Sequence, residues 1–182
     1  MVRAFKFHEQ KLLKKVDFVQ YKDDSTRENM VMRRYHIEKK QDYQKYNVLC
    51  GQIRKITAKL SLLDPKDPFR DTKTDQMLHK LYLMGFITAK KSLSQCEQMT
   101  VSAICRRRLP VVMVRLKMAE TVKLAVQYVE QGHIRIGPQV MTDPAFIVTR
   151  TMEDYITWVD SSKIKQKIMK YNDKLDDYDL LQ

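Results

Sequence analysis

The sequence predicts an α+β fold, in which a helical N-terminal region precedes a small domain of two helices packed on a small, mainly antiparallel sheet. Apolar residues recur at helical spacing over residues 43–63, 75–85, 109–116 and 122–129. Short alternating runs follow from Ile134, bounded by the glycines and prolines that favour turns. Because helical stripes come first and short strands come later, the elements are expected to segregate along the chain.

Positive charge dominates the composition and is unevenly distributed. The 182 residues carry a formal net charge of +12, most of it in residues 1–60 and 101–151, whereas the part from Met152 onward is net acidic. Such a basic excess favours a polyanionic partner, with nucleic acid as the first candidate. Composition and pattern together divide the chain into a basic N-terminal arm (1–40), a helical region (41–100), a small α+β domain with a C-terminal extension (101–170) and an acidic tail (171–182).

The N-terminal half is predicted to be helical. A helix over residues 43–63 is expected to end at Asp64-Pro65 and Asp67-Pro68, because the residue before a proline disfavours the helical conformation. A second helix is expected from about Asp75 to Gly85. Residues 1–20 combine basic and large apolar side chains without glycine or proline. They suit either an arm that orders on a partner or a short amphipathic helix packed on the protein itself.

The two helices of the small domain each have a clear apolar stripe. In the first, Leu109, Val112, Met113 and Leu116 share one face, and Pro110 lies near the start, where its missing N–H costs least. The second is expected to begin after a Thr121 cap and to end at Gly132, which suits the left-handed position after a helix. It would bury Val122, Ala125, Val126 and Val129.

A small sheet is expected to follow at once. Ile134 and Ile136 alternate with His133 and Arg135, so that the isoleucines pack on the helices and the polar side chains face outward. Gly137-Pro138 turns the chain. The further strand-like runs, separated by the Asp143-Pro144 break, are Gln139-Val140 and residues 145–148.

Three motifs in this domain resemble the S4 domain, a helix–helix–sheet unit that binds RNA. They are Arg108-Leu109 with Val112, Arg115 and Leu116; the strand entry Gly-His-Ile-Arg-Ile-Gly over residues 132–137; and Asp-Pro-Ala-Phe-Ile-Val over residues 143–148. The resemblance implies that basic side chains contact mainly phosphate and 2′-hydroxyl groups, because side chains read the deep groove of A-form RNA poorly. The candidate contacts are Arg106, Arg107, Arg108, Arg115, Lys117, Lys123, His133, Arg135, Gln139 and Arg150, with Lys11, Lys14 and Lys15 from the arm.

The resemblance extends beyond this domain. Residues 62–70 and 81–87 are similar to segments that precede the S4 domain in the eukaryotic ribosomal protein of this family. Residues 7–18 and 152–165 are instead similar to a paralogous nucleolar group, the S4-domain proteins of the U3 small nucleolar ribonucleoprotein. The resemblance to that group implies a non-catalytic, nuclear and nucleolar component of the small-subunit processome. Its partners would be U3 snoRNA, pre-rRNA, the Mpp10 scaffold protein and other processome proteins.

The same resemblance implies a mechanism and leaves an alternative. The protein would promote or stabilise the pairing of U3 snoRNA with pre-rRNA for early pre-18S cleavages and small-subunit biogenesis. Clustered cations would lower the repulsion between the two RNA strands by neutralising phosphates and releasing counterions. The alternatives are a structural protein of the mature small subunit bound to 18S rRNA, and a protein-docking module.

Several other classes of protein are not supported by the sequence. Cys50, Cys96 and Cys105 lack paired spacing and a nearby histidine pair, so we expect reduced thiols and no metal site. No apolar run predicts a signal peptide or membrane span. No phosphate loop or catalytic constellation predicts an enzyme, a cofactor or a small-molecule substrate. His133 could contact phosphate or a base, or cap a turn, while Trp158 suits packing, base stacking or protein docking.

Overall fold

Helices form most of the chain in the computed structural model, which describes residues 3–15 and 26–174. The helices are α1 (Phe7–Lys15), α2 (Thr26–Arg34), α3 (Lys40–Ser61), α4 (Pro68–Leu83), α5 (Ser94–Glu97), α6 (Val101–Cys105), α7 (Leu109–Arg115), α8 (Val122–Glu130) and α9 (Lys163–Tyr171). The strands are β1 (Ile134–Ile136), β2 (Gln139–Val140) and β3 (Ile156–Trp158), and a short 3₁₀ helix spans Glu153–Tyr155. The predicted fold class is confirmed.

The buried face of α3 matches the apolar stripe predicted for residues 43–63, and the helix ends at Ser61, before Asp64-Pro65 and Asp67-Pro68. Tyr46, Cys50, Ile53 and Leu60 are buried along one face, whereas Ile56 is exposed. The start predicted for the next helix, at about Asp75, is wrong, because α4 begins at Pro68. The Asp67 side chain accepts a hydrogen bond from the Phe69 N–H at 2.9 Å, and the proline lacks an N–H that the first turn would leave unpaired.

The N-terminal helices enclose the first of two hydrophobic cores. Tyr35 and Ile37, which lie within the predicted arm, are buried there after α2. Cys105 closes the same core at the end of α6. Helix α1 differs, because its large apolar side chains are exposed; Phe7, for example, is 79% exposed. The rest of residues 1–20, from position 16 on, lies outside the described residues.

The second core lies between α7, α8 and the sheet. Leu109, Val112 and Met113 are fully buried, but Leu116 at the end of the predicted stripe is exposed. The Thr121 hydroxyl caps α8 by accepting from the Leu124 N–H at 3.3 Å. Gly132 has a φ of +73°, as the predicted helix ending requires.

The sheet has the strand order β2-β1-β3, and both pairings are antiparallel. Ile134 lies opposite Trp158, and Ile136 lies opposite Ile156. The prediction of a strand over residues 145–148 is wrong, because this segment makes only an isolated bridge between Ile147 and Arg108. The third strand is Ile156–Trp158, and it contributes Ile156 to the second core.

Candidate nucleic-acid interface

Three consecutive arginines connect the two cores, and their side chains have different environments. Cys105 belongs to the first core and Leu109 to the second. Between them, the Arg106 side chain is exposed, whereas Arg107 and Arg108 are 4% and 2% exposed. Buried arginine is rare unless its N–H groups are paired, so the contacts of these two side chains determine what they can do.

Arg107 joins three segments that are distant in sequence. Its Nε donates to the Val148 carbonyl at 2.9 Å, and its Nη1 donates to Glu153 Oε2 at 3.0 Å. The guanidinium also lies against the backbone of Gly85, where an added Cβ would be 2.7 Å from Arg107 Nε. Gly85 has a φ of +75°, so glycine here satisfies both the backbone conformation and the close approach of the arginine.

Arg108 and Arg150 bind backbone carbonyls of the N-terminal half of the chain. Arg108 Nη1 donates to the Tyr35 carbonyl at 3.2 Å. Arg150 donates to the carbonyls of Tyr82 at 2.8 Å and Ile87 at 2.9 Å, and its guanidinium carbon lies 4.2 Å from the Tyr82 ring centroid. Together with Arg107, these residues form what we call the arginine clamp, which holds the small domain against the N-terminal helices. Arg107 and Arg108, which the sequence predicts as RNA contacts, are therefore buried and engaged with protein groups.

Arg115 is paired through the same carboxylate that Arg107 binds. Its Nη2 donates to Glu153 Oε1, so that one carboxylate bridges two guanidinium groups. Burial would raise the pKa of Glu153, but the hydrogen bonds and positive charges of Arg107 and Arg115 lower it overall. The carboxylate thus stays ionised and neutralises part of the local positive charge.

Arg135 is engaged on the sheet surface. Its Nη1 donates to Asp160 Oδ2 at 2.7 Å, and its Nε donates to the Thr157 hydroxyl at 3.1 Å. Lys165 reaches the other oxygen of Asp160 at 2.6 Å. The hydrogen bond from Lys165 and the charge of Arg135 lower the pKa of Asp160. An anionic partner would have to compete with this exposed carboxylate for both cations.

His133 and Trp158 have intramolecular partners. His133 Nδ1 lies 3.0 Å from the buried Ser162 hydroxyl, which also caps α9 by accepting from the Ile164 N–H. Tyr128 makes edge contacts with both rings, at centroid distances of 6.4 Å to His133 and 5.8 Å to Trp158. This placement favours the structural interpretation of His133 and the packing interpretation of Trp158.

The remaining candidate contacts stay accessible. Arg106, Lys117, Lys123 and Gln139 are exposed, and among the described residues the three cations make no ion pair. Lys117 has a φ of +60° in the turn between α7 and α8, close in sequence to Lys123 at the start of α8. Lys11 and Lys14 are exposed on α1, while the side chain of Lys15 lies outside the described residues.

Sequence reasoning missed one basic surface, on α9. The side chains of Lys163, Lys167 and Lys170 are exposed there. The lysine spacing indicates this helix, but the segment from Met152 onward is net acidic when it is taken as a whole. The aspartates at positions 176, 177 and 179, which make it so, lie outside the described residues.

The buried thiols do not form a metal centre in the part of the chain that the structure describes. Cys50, Cys96 and Cys105 are buried and free, and burial raises the pKa of Cys105 to about 11. Over residues 3–15 and 26–174, no group of three His, Cys, Asp or Glu side chains could hold a metal ion. Within the same ranges, no helix is both long enough and apolar enough to span a bilayer.

Two family models match this chain. The Ribosomal protein S4/S9 N-terminal domain model matches residues 4–106, and the S4 domain model matches residues 107–154. The boundary between them therefore falls within the arginine triplet, between the two cores.

Individual relatives are also found. The U3 small nucleolar ribonucleoprotein protein IMP3 of Saccharomyces cerevisiae is 58% identical over 181 residues, which are 98% of this chain and 99% of that protein. The protein of the same name in Homo sapiens is 49% identical over 182 residues, covering 99% of each. The small ribosomal subunit protein uS4 of Picrophilus torridus is 27% identical over 145 residues, covering 78% of each.

Proposed function

This chain belongs to the IMP3 family of U3 small nucleolar ribonucleoprotein proteins, and from this premise we propose that it is a non-catalytic RNA-binding component of that ribonucleoprotein. The names of the full-length relatives support this role, as does the match to the S4 domain. These relatives are named as ribonucleoprotein components, which agrees with the prediction of a protein that is not an enzyme. The corresponding location is the nucleus and nucleolus.

One structural observation carries the RNA-binding part of the proposal. Lys117 and Lys123 are exposed and lack ion pairs within the described chain, although the neighbouring Arg107, Arg108 and Arg115 are engaged with protein groups. Unpaired surface cations can neutralise phosphates without first losing a carboxylate partner, and the counterions released from RNA favour binding. The turn between α7 and α8, with Arg106 at the other end of α7, is therefore the proposed phosphate-contacting surface.

The finer mechanism is the pairing of U3 snoRNA with pre-rRNA. A rigid basic surface lowers the repulsion between two RNA strands, and recognition by phosphate contacts leaves the base edges free to pair with each other. The arginine clamp contributes rigidity rather than contacts, because it holds the S4 domain on the helical region. The proposed partners are U3 snoRNA, pre-rRNA, the Mpp10 scaffold protein and other processome proteins, and the proposed outcome is early pre-18S cleavage.

Ultraviolet crosslinking in cells, followed by sequencing of the attached RNA, tests this function. We expect crosslinks on U3 snoRNA and on the pre-rRNA segments that pair with it. The distant likeness to uS4 supports a second candidate, a structural protein of the mature small subunit. Crosslinks confined to mature 18S rRNA would favour that candidate, and the absence of enriched RNA would favour a protein-docking module.

A matched pair of double variants tests the surface itself. Lys117→Gln with Lys123→Gln removes two proposed phosphate contacts. Lys59→Gln with Lys66→Gln removes the same charge from exposed positions of the helical region. Since each phosphate contact on nucleic acid contributes about 0.7 to 0.9 to the slope of log K against log salt, the first variant should flatten the slope for duplex RNA by about 1.4 to 1.8. Equal slopes for the two variants would contradict the assignment.

A further inference from the structure

An open apolar groove lies between α7, α8 and α9. Its volume is about 680 Å³, and its apolar lining comes from Val114, Met118, Leu124, Tyr128, Ile164 and Ile168. Ile168 is 40% exposed, and no residue of α9 is fully buried. A concave apolar surface left open to water on a soluble domain is typical of a binding site.

The rim of this groove is positively charged. Ile164, Ile168 and Tyr171 share one face of α9 by their spacing, and the exposed Lys163, Lys167 and Lys170 lie along one side of that face. Lys117 lies on the opposite wall, although Glu120 is also there. The occupant should therefore combine apolar side chains with negative charge. RNA is a less suitable occupant of this groove. Its phosphates could bind the lysines, but a mainly aliphatic floor offers little of the aromatic surface on which bases stack.

We propose that residues 175–182 of this same chain bind in the groove, an inference that goes beyond the proposed RNA-binding role and does not depend on it. Their sequence is Leu-Asp-Asp-Tyr-Asp-Leu-Leu-Gln, and they lie outside the described residues. It supplies three aspartates for the lysine rim. Its large apolar side chains, which would fill the floor, are Leu175, Tyr178, Leu180 and Leu181.

The end of α9 directs the chain away from the helix axis. Asp173 has a φ of +51°, its N–H donates to the Lys170 carbonyl at 3.3 Å, and the Lys174 N–H donates to the Met169 carbonyl at 2.9 Å. This pair of hydrogen bonds is the Schellman ending, which stops the helix by placing one residue in the left-handed conformation. From Lys174 back to Ile164 is about 15 Å along a helix, and the residues that follow Lys174 span up to about 26 Å when extended.

The bound tail covers apolar surface and offsets positive charge at the same place. The tail carries three negative charges, whereas residues 161–174 contain five lysines and one aspartate. Its removal should expose the groove and increase the positive charge of this side of the domain. The acidic tail is therefore an internal ligand of the basic helix rather than a solvated extension.

Paramagnetic broadening in the full-length protein tests the proposal. The three native cysteines are buried, so a thiol-reactive nitroxide can be attached selectively at Gln182→Cys. In methyl-labelled protein we expect the signals of Val114, Leu124 and Ile164 to lose most of their intensity. The methyls of Ile53 and Leu78 belong to the other core and should keep theirs.

Two further variants and a mixing experiment complete the test. Ile168→Asp, and separately the combined Asp176→Asn, Asp177→Asn and Asp179→Asn, should each restore the groove signals. Ile56→Asp, at an exposed isoleucine of α3, should leave the broadening unchanged. Unaffected groove methyls, or broadening insensitive to both variants, would overturn the proposal. The proposal would also be overturned if a nitroxide on a second molecule without methyl labels broadened the groove signals, because another copy would then be the occupant. Groove signals that change only when RNA is added would overturn it as well.

Discussion

Removal of the Arg107 side chain should make the two hydrophobic cores unfold at different denaturant concentrations. Arg107→Ala deletes the hydrogen bond to the Val148 carbonyl and leaves the Glu153 carboxylate with only the exposed Arg115 as its partner. Breaking a buried ion pair by removing one partner costs about 3 to 5 kcal/mol. The Glu153 side chain is 21% exposed, so we expect the lower end of that range. For a chain of this size, such a loss lowers the melting temperature by roughly 6 to 12 °C.

Chemical unfolding followed with two probes measures this effect. Trp158 is the only tryptophan, and its fluorescence reports on the second core. Far-ultraviolet circular dichroism reports mainly on the helices, most of which belong to the first core. The two transitions should coincide in the unaltered protein and separate in Arg107→Ala, because the clamp couples the cores.

The neighbouring arginine provides the control. Arg106→Ala removes an exposed side chain from the same turn, and its effect should stay within about 0.5 kcal/mol. Arg107→Lys keeps the charge but loses the guanidinium fork, so its stability should be intermediate. An unfolding midpoint of Arg107→Ala equal to that of Arg106→Ala would refute the reasoning, and so would transitions that still coincide after a large loss.

Three further predictions concern single positions. In thermal melts, Gly85→Ala should destabilise the protein by more than about 1 to 2 kcal/mol, because an alanine in the left-handed conformation is strained and its Cβ would clash with Arg107. Gly51→Ala is the control: this glycine lies inside α3 with open space around it, so the substitution should stabilise the protein by about 0.5 to 1 kcal/mol. Folding lowers the pKa of Glu153, so the ionised carboxylate stabilises the protein at pH values above the ordinary glutamate pKa. In urea titrations, the loss of unfolding free energy caused by Glu153→Gln should therefore be largest near pH 7 and should shrink as the pH falls below about 4. Thr121→Ala loses the cap of α8 and should cost about 1 kcal/mol, whereas Thr121→Ser should retain most of the stability.

Local patterns predicted most of the helices because their causes are local. The stripe through Leu109, Val112 and Met113 and the cap at Thr121 depend only on residues within one or two turns. The start of α4 is also encoded locally, in Asp67-Pro68, although the same pair also marks the end of the preceding helix, which is the only role that the prediction gives it. An Asp-Pro pair can do both, since the aspartate caps the helix that the proline begins.

The roles of the arginines could not be read from local sequence. Arg107 and Arg108 look like cations beside an apolar stripe, yet their carbonyl partners are Val148 and Tyr35, which are 41 and 73 residues away. Neither carbonyl is marked by any side-chain pattern, because every residue has one. The third strand was misplaced for a related reason, since a strand of three residues is too short for periodicity to distinguish from its neighbours.

The close contact between Gly85 and Arg107 has a consequence for how this fold can diverge. A side chain at position 85 and a guanidinium at position 107 would occupy the same space, so neither site can change freely while the other stays the same. Among chains that share the fold, substitutions at the two positions should therefore be correlated: a larger residue at 85 should occur only with a shorter one at 107. The evolutionary record of one glycine would then report on the docking of a domain that begins 22 residues later.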